Sequence, residues 1–221
     1  MAPSITVIIV DVVFFREWIA YIVAKSVWLQ RCIWRMKVWS EKLIYYQDLY
    51  NQLISEWRQI TWVVCDGRRW VLEYFRRIWI PVQKCHFHQN QTWRFYLWKK
   101  KKSKHECILE LKYIYEHLGK VDYEWLRLLL LDWKERWDEY LKEKNVHGKL
   151  SHLKVLKAYK SLLKNIPYLE TYEVKEDLWI PTTTNGLDGW VFSWIKTHIS
   201  IHRGLNDENL SKLIEHYFAS H

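Results

Sequence analysis

An α+β fold is predicted: a small antiparallel aromatic-rich sheet with a long amphipathic helix, followed by a helical C-terminal lobe. Three observations predict it. Residues 60–65 are β-branched and aromatic, the composition of a strand. Leu43, Tyr46, Leu49, Tyr50, Leu53 and Ile54 recur at three- and four-residue steps, so they share one helix face. Beyond the lysine run at 99–102 the apolar spacing is helical throughout.

The first 28 residues read as an apolar leader. The run from Ile5 to Val13 is broken by Asp11 and soon followed by Arg16 and Glu17. It has no preceding basic segment and is too short for a signal peptide or a membrane span. A buried strand passing into a helix is expected, with Phe14, Phe15, Trp18, Ile19, Tyr21 and Ile22 as a rough helical stripe. Weak membrane association is the minority reading.

Residues 29–103 read as a Trp-rich basic lobe. A short strand is expected around Trp34 to Trp39, then the amphipathic helix, then strand 60–65. Asp66-Gly67 is a hairpin signal, and Arg69 to Ile80 would continue the sheet until Pro81. Thr92 to Trp98 alternates Trp93, Phe95 and Leu97 against Arg94, Tyr96 and Trp98, which predicts a further strand.

Residues 104–168 read as a helical adaptor lobe. Cys107, Ile108, Leu111, Ile114, Tyr115 and Leu118 form a stripe closed by Gly119. Asp122 is placed to cap a helix burying Leu126, Leu129, Leu130, Trp133, Trp137, Tyr140 and Leu141. A third helix is expected from about Leu150 to Asn165, ended by Pro167. Residues 169–221 form a tail, with a polar loop at Thr182 to Gly189 and a last helix that Asp207 could cap.

The chain carries 34 Lys plus Arg against 25 Asp plus Glu, a formal charge of +9, which favours polyanions or acidic protein faces as partners. Sixteen Trp and 14 Tyr exceed what so small a core readily absorbs, which points to an interaction surface as well as internal packing. Four widely spaced Cys, with no CxxC pair, fit a reducing compartment.

No glycine-rich phosphate loop and no nucleophile-elbow pattern is present, so no active site is expected and no catalytic residue is assigned. Cys85, His86, His88, His105, Cys107 and His117 offer zinc ligands, but paired finger spacing is missing and no metal is assigned. Trp34, Trp39, Trp93, Arg94, Tyr96, Trp98, Lys99 and Lys100 suit a nucleic-acid surface, aromatic faces stacking on bases while cations meet phosphates. The same residues suit a sheet face and a solvated linker.

Several segments in sequence order resemble the lentiviral virion infectivity factor family, over about residues 34–180. They are Trp34 to Trp39, Arg77 to Val82, Trp98 to Ser103, His117 to Tyr123, Gly148 to Leu156, Ile166 to Leu169 and Val174 to Trp179. Tyr123 stands where primate members have a zinc cysteine, and Lys149 and Ser151 depart from the serine and glutamine of the Elongin box. Zinc is therefore not carried over.

The resemblance implies a viral adaptor recruiting a cullin-RING ubiquitin ligase to an APOBEC-type cytidine deaminase, in host cytoplasm and virion. Leu150, Leu153, Leu156 and Ala158 would dock on Elongin B/C, Leu126, Leu129, Leu130 and Trp133 would face the cullin scaffold, and the basic Trp-rich residues would hold the deaminase or RNA. A host cofactor protein and a second copy of the chain complete the expected partners. A nonspecific RNA-binding viral accessory protein is the alternative class.

Overall fold

In a computed structural model, residues 4–56, 58–97, 103, 105–174, 179–202 and 204–220 are described. The chain forms a mixed α+β fold of two compact units, one of residues 1–85 with 175–221 and the other of residues 86–174. The boundary expected at the lysine run falls on residues outside the described ones. The units divide instead after Cys85 and after Val174.

The first unit is built on five strands in the order β3-β2-β1-β4-β5. Strands β1 (Ser4–Arg16), β2 (Ile19–Ser26) and β3 (Cys32–Val38) make an antiparallel meander. Helix α1 (Leu43–Ser55) crosses to β4 (Arg58–Cys65), which pairs parallel with β1. Helix α2 (Arg69–Arg77) then crosses to β5 (Val82–Lys84), parallel to β4.

The sheet is therefore mixed, not antiparallel. Asp66-Gly67 does not close a hairpin; Gly67, at φ +90°, opens a turn into α2. Val71, Leu72 and Phe75 are buried at helical spacing, so the run after Arg69 is a helix and not a strand. The leader also differs from its expected form, because Ile19 to Ser26 is strand β2, buried at every position. Strands covered on both faces read as continuous apolar runs, and that continuity imitates a helical stripe.

Adjacent residues of β3 reveal the two coverings. The Trp34 indole donates to Gln52 Oε1 of α1 at 2.7 Å, while the Arg35 guanidinium donates to Glu215 at 2.7 Å. Since successive strand side chains point to opposite faces, α1 and the last helix, α9 (Asp207–Ser220), lie on opposite sides of the sheet. Between them in sequence, the expected polar loop closes at Gly186, where a π-helical segment (Gly186–Phe192) begins and leads into α8 (Ser193–Ile201). Asn206, not Asp207, caps α9 by accepting the Asn209 N–H at 2.8 Å. Asp207 instead receives the Trp18 indole N–H at 2.5 Å and the Arg16 guanidinium.

The second unit is helical: α3 (His86–Leu97), α4 (Glu106–Glu116), α5 (Tyr123–Arg136), α6 (Asp138–Lys142) and α7 (Leu153–Leu169). Trp133, Leu126, Leu130, Leu111, Leu162 and Ile166 are fully buried in its core. Asp122 caps α5 as expected, accepting the Trp125 N–H at 3.1 Å. Of the strand expected over residues 92–98, residues 92–97 are instead the end of α3 and Trp98 lies outside the described residues; the inward residues of α3 are His86, Gln89 and Leu97, and Gln89 is satisfied by Asn165 and Tyr115. Pro167 does not end α7, which runs on to bury Leu169. A proline near a helix end forfeits one backbone hydrogen bond, and here the packing of Ile166 and Leu169 outweighs it.

Candidate functional site

Strand β1 is the middle of the sheet and is otherwise apolar, with Val7, Ile8, Ile9, Val10 and Val13 buried. Asp11 interrupts it and is only 8% exposed. The parallel ladder pairs Ile8 with Val63 and Ile9 with Val64. The ladder stops there; Asp11 lies further along β1, and Asp66 follows Cys65, the last residue of β4. Burial pushes up the pKa of the Cys65 thiol, with the negative charges of Asp66 and Asp11 adding to the rise.

A buried lysine and the π-helical segment meet the same face. Ile9 pairs with Lys25 across β1 and β2, and the Lys25 ammonium donates to the Gly186 carbonyl at 3.2 Å. A side chain at Gly186 would come within 3.2 Å of Ile9 Cδ1. Asp11 lies two residues beyond Ile9 and so shares its face, the one the 186–192 segment covers. The segment's approach is fixed at Thr184, fully buried, whose backbone N–H donates to Cys85 Sγ at 3.3 Å just past the end of β5.

Charged groups gather around Asp66. Its carboxylate accepts the Arg68 N–H at 3.1 Å and stands 3.6 Å from the Arg68 guanidinium, which also reaches Glu41 at 2.5 Å. Burial raises the Glu41 pKa, the charge of Asp66 adding to it. Gly67 sits where a Cβ would meet the buried Lys84 side chain at 2.5 Å, so the β4–α2 turn needs glycine. Asp11 within β1 and Asp66 just past β4 are two carboxylates of the type that magnesium sites use, one or two at a time with water and phosphate oxygens completing the shell. No family model, curated protein or solved structure matches this chain.

Sequence reasoning passed over this centre, treating Asp11 as a break and Asp66 as a turn residue. The available signal was one aspartate within an apolar run and another closing a β-branched run. The residues it did single out scatter. Trp34 is a core residue, 5% exposed, whereas Trp39 is 73% exposed. Trp93, Arg94 and Tyr96 lie on α3, and Trp98, Lys99 and Lys100 fall outside the described residues.

The expected docking groups divide between surface and core. Leu153 is 43% exposed, Leu150 and Leu156 are half-buried, and Ala158 is fully buried. Leu126, Leu130 and Trp133 are fully buried with Leu129 packed against them, so this stripe holds the unit together and is not presented outward. Four of the six expected zinc ligands take other partners: Cys85 Sγ is engaged by Thr184, His86 Nε2 lies 3.0 Å from the Leu169 carbonyl, His105 stacks on Tyr140 and His117 rests on Tyr113. Cys107 is buried, and His88 lies on α3. Among the described residues no three His, Cys, Asp or Glu are arranged to hold a metal, and no helix is long and apolar enough to cross a membrane.

Proposed function

We propose that the mixed-sheet unit is a divalent-cation-dependent phosphoryl-transfer domain that cuts nucleic-acid strands. The observation that carries this reading is the buried Asp11 of β1 and Asp66 just past β4, whose negative charges both act on the Cys65 thiol. A carboxylate is costly to bury in an apolar strand, and magnesium sites use one or two carboxylates and leave other positions to water and phosphate oxygens. Asp11 and Asp66 would hold the ion. When bound, the ion supplies charge stabilisation at the scissile phosphate.

The chain's own groups suit the rest of the task. Arg68 and Arg69 open α2 beside Asp66, and the charge of +9 favours a polyanionic substrate. An antiparallel meander continued by two parallel crossovers is also the topology of ribonuclease-H-like enzymes that cleave or transfer nucleic-acid strands, transposases among them. This is an analogy of fold alone. It departs from the expectation of a chain without an active site.

The test is cleavage of a labelled DNA duplex in magnesium or manganese. The wild-type protein should nick or join strands, while Asp11→Asn and Asp66→Asn should reduce this by at least about 1,000-fold without loss of DNA binding. Equal activity in wild type and both variants would overturn the proposal. Joined products would assign strand transfer, and nicked products alone hydrolysis.

The ligase-adaptor reading is the alternative. Exposed Trp125, Leu128 and Leu131 on α5 and exposed Leu153 on α7 support a protein-binding surface. Recovery of Elongin B/C and a cullin with the wild type, and their loss with Leu150→Ala/Leu153→Ala, would favour it over cleavage.

A further inference from the structure

A second site lies wholly within the helical unit. One face of α3 presents Asn90, Trp93, Arg94 and Leu97 to a cavity of about 500 Å³, closed on the other side by α4 and the turn after it. That volume is in the range of small-molecule sites, which run to roughly 300–1,000 Å³. Its apolar wall is aromatic, with the rings of Trp93 and Tyr115 5.9 Å apart and inclined at 42°. Tyr115 is held in place because its hydroxyl donates to the Ala158 carbonyl at 2.8 Å.

The lining also carries three cations, Arg94, Lys112 and Lys120, against one carboxylate, Glu116. Lys112 stands 3.5 Å from Glu116, whereas Arg94 and Lys120 have no ion pair among the described residues. Lys120 is set at the cavity by Gly119, at φ +73°, where an added Cβ would come within 2.8 Å of His86 Nδ1. An indole, two cations without counter-charges and the Asn90 amide make a set with one chemical reading. A flat ring can stack on Trp93, the amide can bond a ring edge, and an attached phosphate can meet Arg94 and Lys120.

We propose that this cavity binds a single unpaired nucleotide, base on Trp93 and phosphate on Arg94 and Lys120. As a subsite for an extruded base it rests on the nucleic-acid reading above, because that reading supplies a strand as the source. A free mononucleotide carries the same chemistry.

The experiment uses the full chain and a short single strand containing 2-aminopurine, whose fluorescence falls on stacking. Saturable quenching is expected. Arg94→Glu/Lys120→Glu should weaken it at least about tenfold, and Trp93→Ala should abolish it. Lys144→Glu/Lys149→Glu, an equal charge change at exposed positions of the same unit, should leave it near wild type. Competition by AMP at matching affinity would assign a free nucleotide, and failure of AMP to compete a nucleotide within a strand. Absence of quenching in the wild type, or quenching unaltered by Arg94→Glu/Lys120→Glu, would overturn the proposal. Strand cleavage that persists without quenching would sink this site alone, whereas quenching without cleavage would sink only the catalytic reading.

Discussion

Asp11, within β1, and Asp66, just past the end of β4, both bring negative charge to bear on the buried Cys65 thiol. A cation that binds the native pair and not the unfolded chain must stabilise the fold by mass action. Magnesium at about one hundred times its dissociation constant should add about 2.7 kcal/mol to the sheet unit. Calorimetry should find that increment in the wild type and not in Asp11→Asn or Asp66→Asn. A melting temperature unmoved by magnesium in the wild type would count against a cation site there.

The turn from β4 into α2 depends on a residue without a side chain. Gly67 combines φ +90° with a Cβ position 2.5 Å from Lys84. Gly67→Ala should cost about 1–3 kcal/mol, measured by urea unfolding. Adding Lys84→Ala should recover the steric part and leave the backbone part. Full stability in Gly67→Ala would show that the turn relaxes at no cost.

His86 makes the helical unit sensitive to acid. Burial lowers the pKa of its ring, against a smaller opposing effect from the Leu169 carbonyl 3.0 Å away. The folded value lies below the unfolded one, so the native state binds fewer protons. Stability from this group is present above the ordinary histidine value near 6.5 and is lost as pH falls through the folded pKa. His86→Gln should flatten the dependence of unfolding free energy on pH below about 6.5. An identical slope in wild type and variant would refute this.

Leucines on the two sides of α7 should behave differently. Leu162 is fully buried, while Leu153 is 43% exposed. Leu162→Ala should cost about 2–5 kcal/mol by cavity formation, and Leu153→Ala should stay within about 0.5 kcal/mol. Equal losses in denaturant titrations would mean that Leu153 is sequestered in solution.

Much of the local structure is legible in the residues. The Leu43 to Ile54 stripe becomes α1, the 60–65 run lies in β4, and Asp122 and Gly119 bound the helices they were expected to bound. Periodicity and capping are properties of a few neighbouring residues, so sequence carries them directly. The run after Arg69 and the 92–97 segment went wrong because bulky aromatics fit a strand or a helix equally, and the choice lies with what packs on them.

The sequence by itself determined the α+β class, the helical second half, the positive charge and most helix faces. Only the tertiary structure decided that the apolar opening is the central strand, that β4 joins it in parallel, and that the 186–192 segment begins against Ile9 and Lys25. The parallel pairing of β1 with β4 joins residues as far apart in sequence as Ser4 and Arg58, and no pattern along a single strand encodes its neighbour.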